Sequence, residues 1–250
     1  MKTRIILCGA CGKMGGNVLS LLADDNEAEA VCGVDLYPKE IGIPVYKNFA
    51  DVKEEADVII DFSSADGVAE RLEYAKSHNL GIVLASTGFS PADLALIDEY
   101  AKSTAIFKTA NLSLGVNLMQ ALCKAAAQVL GDNFDVEIIE KHHNLKKDAP
   151  SGTALMLADS VNEAFNGEKT YVDGRSGIVG ARDKKEIGMH AVRGGTIVGE
   201  HEVMFAGEDE IITITHSARS KRVFAVGAIR AAKFLHGKGA GRYEMKDILD

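Results

Sequence analysis

A basic segment with two histidines lies in the middle of the chain. Two histidines and three lysines fall within the seven residues from Lys141 to Lys147. Ser151-Gly152-Thr153 follows and precedes an apolar run, which predicts a helix start with unpaired backbone N–H groups. Such a helix end binds carboxylate or phosphate, lysine adds positive charge, and histidine exchanges a proton near neutral pH. The segment therefore predicts an acid–base site for an anionic ligand.

Three simpler interpretations of this segment stay open. The histidine pair is one ingredient of a zinc site, but no His-x-x-x-His pattern or cysteine set accompanies it, so a metal is not expected. The lysines also fit a solvated surface run, and Ser151 caps its helix whatever else it does. The density of histidine and lysine favours a functional site over these interpretations.

A glycine-rich loop near the N-terminus is the second chemical signal. Gly9–Gly16 reads Gly-Ala-Cys-Gly-Lys-Met-Gly-Gly and lies between a strand pattern and a helical one. Small residues let the backbone approach a pyrophosphate, whose charge the helix N-terminus balances, although Ala10 stands where the dinucleotide fingerprint has its first glycine. Asp35 follows Gly15 by twenty residues, where a carboxylate binds ribose hydroxyls. Loop and carboxylate together favour a nicotinamide dinucleotide site over a merely structural turn.

Two later loops and one glycine-rich cluster give weaker signals. Ala85–Gly88 and Thr109–Leu112 each follow a strand pattern, which places them at the edge of a parallel sheet where ligands bind. Ordinary turn chemistry explains both loops equally well. The cluster Gly188–Gly195 with Gly199–His201 favours a glycine-rich hairpin on its spacing alone.

The elements that position these residues change character along the chain. Strand and helix patterns alternate in the first half, which predicts βαβ units and a parallel sheet. The predicted strands there are Ile5–Cys8, Ala30–Val34, Val58–Phe62, Ile82–Ala85 and Ala105–Phe107. The second half combines helices with strand patterns that begin at Phe134 and Ile187, which predicts a mixed or antiparallel sheet. A last helical pattern covers Val223–Leu235.

The composition excludes several classes of protein. The 250 residues include 28 Lys and Arg against 36 Asp and Glu, and 46% are hydrophobic, which excludes disorder. No run approaches the ~20 apolar residues of a membrane helix, and no signal peptide is recognisable, so we expect a soluble cytoplasmic protein. An acidic chain without tryptophan does not favour nucleic-acid binding. Cys8 and Cys11 form a Cys-x-x-Cys pair, but no second pair supports a redox or zinc site.

The two main motifs together resemble those of one family. Glu140–Ala154 fits Glu-x-His-His-x-x-Lys-x-Asp-x-Pro-Ser-Gly-Thr-Ala, the long and specific signature of the 4-hydroxy-tetrahydrodipicolinate reductase (dihydrodipicolinate reductase) family, and Gly9–Gly15 fits that family's glycine loop. The resemblance extends over almost the whole chain. Further matches are Asp61–Ser63, Thr87–Phe89, Asn111–Asn117, His190–Gly195, Gly199–His201, Thr215-His216 and Phe224–Ala228.

The resemblance implies a fold class, a domain organisation and site residues. The fold is α/β, with a Rossmann-like dinucleotide-binding domain (residues 1–110, with a C-terminal helix 222–250 packing back onto it) and an α+β substrate and oligomerisation domain with a mixed sheet (residues 111–221). His142 and Lys146 match the catalytic residues, and the matches to substrate contacts are His143, Gly152 and Thr153. The matches to cofactor contacts are Gly9, Ala10, Cys11, Gly12, Lys13, Met14, Asp35, Ala85, Ser86, Thr87, Thr109, Ala110, Asn111 and Leu112.

The resemblance also implies an activity. It is the NAD(P)H-dependent reduction of 4-hydroxy-tetrahydrodipicolinate to tetrahydrodipicolinate with loss of water, in lysine and diaminopimelate biosynthesis, by a homotetramer that needs no metal. Asp35 followed by Leu36 favours NADH at least as much as NADPH, because a carboxylate repels a 2′-phosphate, and Lys39 offsets part of that repulsion.

Two alternative activities stay open. A related two-domain dehydrogenase, for aspartate or a sugar, would share the first half of the chain. A dinucleotide-sensing protein without catalysis would not need both His142 and Lys146.

Overall fold

The computed structural model describes residues 1–249, in which strands and helices alternate first and then segregate. The strands are β1 (Thr3–Cys8), β2 (Ala28–Val34), β3 (Val45–Tyr46), β4 (Val58–Asp61), β5 (Gly81–Leu84), β6 (Ala105–Lys108), β7 (Asp135–His142), β8 (Thr170–Asp173), β9 (Glu186–Arg193), β10 (Gly199–Ala206), β11 (Ile211–Ala218) and β12 (Gly241–Tyr243). The helices are α1 (Lys13–Leu22), α2 (Val68–Ser77), α3 (Pro91–Tyr100), α4 (Leu114–Leu130), α5 (Gly152–Glu163), α6 (Arg222–Leu235) and α7 (Lys246–Leu249). The chain divides into a first unit, Met1–Ser113 with the segment from Arg222 onward, and a second unit, Leu114–Lys221.

The first unit contains a seven-stranded parallel sheet with the order β12-β6-β5-β4-β1-β2-β3. Its central strands are continuous apolar runs, and Ile5, Ile6 and Leu7 of β1 have no exposed surface although successive side chains point to opposite faces. Burial on both faces is what helices packed on each side of a parallel sheet produce. The predicted βαβ alternation and parallel sheet are confirmed.

Helix α3 shows how local sequence defines the element boundaries of this unit. The Ser90 hydroxyl accepts a hydrogen bond from the Asp93 N–H, the Asp93 carboxylate accepts one from the Ser90 N–H, and Pro91 occupies the first helical position. This reciprocal arrangement satisfies two of the backbone N–H groups that a helix start leaves unpaired. The predicted helix start at Pro91 is confirmed.

The C-terminal segment differs from the predicted helix 222–250. Helix α6 ends at Leu235, because Gly237 adopts a φ of +77° that a helix does not allow. The chain then adds β12 to the sheet, parallel to β6, with Gly241 opposite Ala105 and Tyr243 opposite Phe107. A three-residue strand is too short to show a periodic pattern, and sequence analysis therefore missed it.

The second unit contains a five-stranded sheet with the order β11-β10-β7-β9-β8. The pairs β7–β9 and β8–β9 are parallel, and β10 is antiparallel to both β7 and β11, so the sheet is mixed as predicted. Alternate residues of β7 are buried, among them Val136 and Ile138, which pack with α4 and α5 residues such as Cys123 and Leu157. Alternation of this kind is typical of a sheet with one covered face.

The predicted hairpin around Gly194-Gly195 is wrong. Strands β9 and β10 follow each other in the chain, but β7 lies between them in the sheet. The Gly194 N–H donates to the carbonyl oxygen of His142, and the Asn144 N–H donates to that of Gly195. The glycine turn is therefore bonded to the end of β7. Spacing alone did not reveal this, because it does not specify which strand pairs with which.

Candidate active site

The loop between β1 and α1 leaves no room for side chains at two of its glycines. A Cβ atom on Gly15 would lie 2.3 Å from the carbonyl oxygen of Ala10, and one on Gly9, whose φ is +71°, would lie 2.8 Å from that of Phe62. Gly12 begins helix α1 without a side-chain cap, and the first turn of that helix has no acidic residue. A glycine-lined helix start with no acidic residue in its first turn fits a pyrophosphate.

Asp35 is held directly beside this loop by backbone hydrogen bonds. Its Oδ2 accepts from the Cys11 N–H at 2.9 Å and its Oδ1 accepts from the Tyr37 N–H at 3.0 Å. Each carboxylate oxygen keeps a further acceptor position, which fits the two hydroxyls of a ribose. A cleft of about 520 Å³, lined by residues that include Gly9, Asp35 and Ser63, opens at the ends of β1, β2 and β4.

A buried ion pair supports the loop after β4. Asp61 has no exposed surface, and its carboxylate lies 2.9 Å from the Arg71 guanidinium and accepts hydrogen bonds from Ser63 and Ser86. Arg71 also donates to the carbonyl oxygens of Ser64 and Asp66. Sequence analysis did not single out Arg71, and the only signal was the carboxylate that ends the apolar run of β4. The ion pair holds the loop that forms one wall of the cleft.

The remaining residues predicted for the cofactor lie at the same edge of the parallel sheet. The loop Ala85–Thr87 follows β5 and Thr109–Leu112 follows β6, so both are at carboxyl ends of strands. Asn111 shapes the second loop, because its side-chain oxygen accepts from the Ser113 N–H at 2.8 Å. Helix α6 packs tightly beside this loop, since a Cβ atom on Gly227 would lie 1.8 Å from the Leu112 carbonyl oxygen. The first unit thus gathers the predicted cofactor set along one edge.

In the second unit, a buried carboxylate holds one of the two predicted catalytic residues. Glu140 of β7 is 1% exposed and accepts the His142 Nδ1–H at 2.6 Å. The same carboxylate accepts two hydrogen bonds from Arg193, at 2.7 and 2.8 Å, and one from the Ser151 N–H at 3.0 Å. Burial by itself raises the pKa of Glu140, but Arg193 and His142 outweigh it and hold this pKa below its usual range. An ionised Glu140 fixes which imidazole nitrogen of His142 carries a proton.

The start of helix α5 lies next to this carboxylate. The Ser151 hydroxyl accepts from the Ala154 N–H, which confirms the predicted helix cap, and lies 3.1 Å from Nε2 of His201. The His201 ring packs edge-on against that of His142, with ring centres 5.2 Å apart. Burial, together with the neighbouring His142, lowers the pKa of His201 to about 4. His201 is therefore neutral at physiological pH.

The other predicted residues of the second unit surround the same loop. The Lys146 ammonium forms an ion pair with the Asp148 carboxylate at 2.9 Å. The backbone N–H of Lys146 donates to the His143 carbonyl oxygen, and this hydrogen bond closes a tight turn after β7. His143 is partly buried, and Gly152 and Thr153 form the first turn of α5. His142, His143, Lys146 and the helix start thus belong to one continuous loop region. Sequence analysis did not assign a role to Glu140, Arg193 or His201.

Comparison with known proteins places the chain in a family. The model described as "Dihydrodipicolinate reductase, N-terminus" matches residues 3–112, and "Dihydrodipicolinate reductase, C-terminus" matches residues 115–249. The chain belongs to the dihydrodipicolinate reductase family. The resemblance found in the sequence is confirmed. Membership of this family argues against the alternative that the chain is an aspartate or sugar dehydrogenase.

Individual members of the dihydrodipicolinate reductase family agree with this assignment. The 4-hydroxy-tetrahydrodipicolinate reductase of Caldanaerobacter subterraneus is 49% identical, covering 100% of this chain and 99% of that protein. That of Clostridium novyi is 44% identical over 99% of this chain and 98% of that protein. The dipicolinate-bound dihydrodipicolinate reductase from Paenisporosarcina has a TM-score of 0.81 and 25% identity, covering 98% of both chains.

The described part of the chain lacks two further features. Residues 1–249 contain no group of three or more His, Cys, Asp and Glu placed to hold a metal ion. In the same residues no helix has the length and hydrophobicity needed to cross a membrane. Cys8 at the end of β1 and Cys11 of the glycine loop are free thiols, as are Cys32 and Cys123.

Proposed function

We propose that the protein catalyses the NAD(P)H-dependent reduction of 4-hydroxy-tetrahydrodipicolinate to tetrahydrodipicolinate, with loss of water, in lysine and diaminopimelate biosynthesis. The observation that carries the proposal is the loop after β7 in a member of this family. Next to this loop, at the end of β7, Glu140 orients His142 beside the start of helix α5. Relatives named for this activity align with nearly the full length of the chain.

The first unit is the proposed dinucleotide-binding domain. Gly9–Met14 would take the pyrophosphate, Asp35 the adenosine ribose, and the loops Ala85–Thr87 and Thr109–Leu112 the remainder of the cofactor. The close approach at Gly9 and Gly15 and the spare acceptor positions on Asp35 support this fit. A reduced nicotinamide, when bound, supplies the hydride to the substrate.

The second unit is the proposed substrate domain. The substrate carries two carboxylates, which require cations and N–H donors. Lys146, His143 and the first turn of α5 at Gly152 and Thr153 supply both. Without substrate, Lys146 pairs with Asp148, whose side chain is 60% exposed. A bound substrate carboxylate would replace the Asp148 carboxylate, which is largely hydrated. That exchange costs little because exposed ion pairs are weak.

His142 and Lys146 provide the proton chemistry. Replacement of the hydroxyl by hydride requires a proton, so that the hydroxyl leaves as water. His142 can hold this proton while its Nδ1–H remains bonded to Glu140. The Glu140 carboxylate holds the ring of His142 in place, and Arg193 helps to keep the pKa of that carboxylate below its usual range. Lys146 adds a permanent positive charge that attracts the substrate.

We further propose a cytoplasmic homotetramer. Strand β11 lies at the edge of the mixed sheet and leaves Ile211 63% exposed and Ile212 38% exposed in the single chain. Such a surface fits contact with further copies of the chain. Four free cysteines agree with a reducing compartment.

A coupled assay tests the activity. The unstable substrate is generated in place from pyruvate and aspartate semialdehyde by the preceding synthase, and oxidation of NADH and of NADPH is followed by absorbance. We expect oxidation that depends on all components, whereas a control without synthase stays flat. Binding of NADH without oxidation in the complete mixture would instead support a dinucleotide-sensing protein.

A further inference from the structure

The end of β3 brings a lysine beside the proposed ribose-binding carboxylate. Val34 of β2 is paired in parallel with Tyr46 of β3, and the Asp35 N–H donates to the Tyr46 carbonyl oxygen at 2.9 Å. Asp35 and Lys47 are therefore the next residues beyond the paired ends of adjacent strands, which run about 4.8 Å apart. Both line the same cleft of about 520 Å³.

Lys47 lines this cleft and forms no ion pair within residues 1–249. It is exposed and has no carboxylate within 4.0 Å in residues 1–249, whereas Arg71, the other cation of the lining, is buried against Asp61. Lys39, the cation that the sequence offered, is not among the lining residues. The two residues after Asp35, Leu36 and Tyr37, are uncharged and 72% and 76% exposed.

Two acidic residues of the opposite wall oppose an additional anion in the cleft. Asp66 and Glu70 both line it, and Asp35 is itself negative. A cofactor that carries a 2′-phosphate adds a charge of nearly −2 beside Asp35. Binding of such a cofactor therefore requires a cation near the ribose, and Lys47 has the necessary position and a flexible stem of four carbons.

We propose that Lys47 is a specificity-determining residue that allows 2′-phosphorylated dinucleotides to bind beside Asp35. The inference rests on the proposed dinucleotide site of the first unit and deepens it. Lys47 sets the ratio of NADPH to NADH affinity, while Asp35 maintains affinity for the unphosphorylated ribose. Because the ammonium is exposed, salt screens its contribution, so the difference in this ratio between wild type and a variant without the Lys47 charge shrinks as ionic strength rises.

The test compares two nucleotides that differ only in the 2′-phosphate. Isothermal titration of the full-length protein measures the dissociation constants of 5′-ADP and 2′,5′-ADP in wild type, Lys47→Ala and the matched control Lys39→Ala. We expect Lys47→Ala to weaken 2′,5′-ADP by about fivefold, the upper range for one exposed ion pair, and 5′-ADP by less than about twofold. Lys39→Ala should change neither by more than about twofold. Lys47 is exposed, so folding should survive its replacement.

The outcomes separate this inference from the proposed function. If wild type binds both nucleotides and Lys47→Ala leaves their affinity ratio unchanged, Lys47 has no such role although the dinucleotide site stands. An equal or larger effect of Lys39→Ala assigns the role to Lys39 and overturns the proposal. If wild type binds neither nucleotide, the dinucleotide site itself is wrong, and the role of Lys47 falls with it. The kcat/KM ratio for NADPH over NADH should fall in parallel with the affinity ratio.

Discussion

Replacement of Glu140 by glutamine would test whether this carboxylate positions His142. The change keeps the size of the side chain but removes its charge and converts one oxygen into an amide group that only donates. In the native protein each oxygen of Glu140 accepts two hydrogen bonds, from His142 and Arg193 on one side and from Ser151 and Arg193 on the other. Either orientation of the amide therefore places its NH₂ group opposite two other donors.

The structure sets the size of both expected effects. Two charge-assisted hydrogen bonds are lost and Arg193 keeps an uncompensated charge, so the free energy of unfolding of the second unit should fall by about 3 kcal/mol. His142 remains but loses the acceptor that orients it. We expect kcat to fall by about 10²-fold, at the low end for a lost acid–base group, with KM changed by less than about threefold. The affinity for NADH should be unchanged, because its proposed site belongs to the first unit.

A second glutamate on the same strand provides the control. Glu137 accepts hydrogen bonds from two arginines, Arg175 and Arg182, and lies 2.6 Å from His190, but it points to the opposite face of β7. Burial raises the pKa of Glu137, yet these partners lower it overall to about 2. Glu137→Gln should therefore destabilise the protein to a similar degree. Its kcat should stay within about threefold of wild type, because no predicted catalytic residue contacts it.

Steady-state kinetics, NADH titration and urea unfolding of both variants decide the matter. We expect the two variants to share a loss of stability and to differ in kcat by more than tenfold. Equal kcat values in the two variants would refute a positioning role for Glu140, because its contribution would then be to stability only. A loss of NADH affinity in Glu140→Gln alone would also contradict the separation of the two proposed sites.

Three further predictions concern the same unit. Lys146→Ala should lower kcat and raise KM, whereas His142→Gln should chiefly lower kcat, by about 10²–10⁴-fold, because only the lysine also attracts carboxylate; near-wild-type kcat in both variants would refute the catalytic assignment. Pyridine-2,6-dicarboxylate should inhibit competitively with the substrate, and Thr153→Val should weaken this inhibition by removing a hydroxyl donor; competition with the nucleotide alone would show that the anion site is misplaced. Because burial lowers the pKa of His201 from 6.5 to about 4, the unfolded chain takes up this proton at higher pH than the folded one, so stability should fall as pH drops from about 6.5 to about 4. Between pH 7 and pH 5, His201 should lower the free energy of unfolding by about 2 kcal/mol. This part of the pH dependence should be absent from His201→Gln when unfolding is measured at both pH values; an identical pH dependence in the variant would contradict the lowered pKa.

Local sequence predicted the elements and motifs well, because their causes are local. The apolar runs of β1 and β4 are nearly continuous, the Ser90 cap precedes Pro91, and Gly15 is required by atoms only a few residues away. His142 was identified in the same way, because the family signature that contains it is one continuous stretch of chain. These features depend on chain neighbours, which a sequence displays directly.

Long-range pairing is what the sequence did not reveal. Arg193 lies 53 residues beyond Glu140 and reaches it only because β9 pairs with β7, with Arg193 opposite His142. Spacing suggested instead that β9 forms a hairpin with the strand that follows it. Strand order depends on which faces and edges pack best over the whole unit, and no single stretch of sequence encodes it. Among the site residues that were missed, Arg193 and His201 depend on this order.

The return of the C-terminal segment to the first unit has a consequence for synthesis on the ribosome. The second unit is continuous in the chain, whereas the parallel sheet of the first receives its edge strand β12 only from residues near the C-terminus. During translation, Leu114–Lys221 can emerge complete while the first unit still lacks α6 and β12. Nascent chains should therefore acquire protease resistance in the middle of the sequence before its beginning, although domains usually fold from the N-terminus. Premature termination after β11 would leave the second unit complete and the first unit without α6 and β12, exposed to quality control.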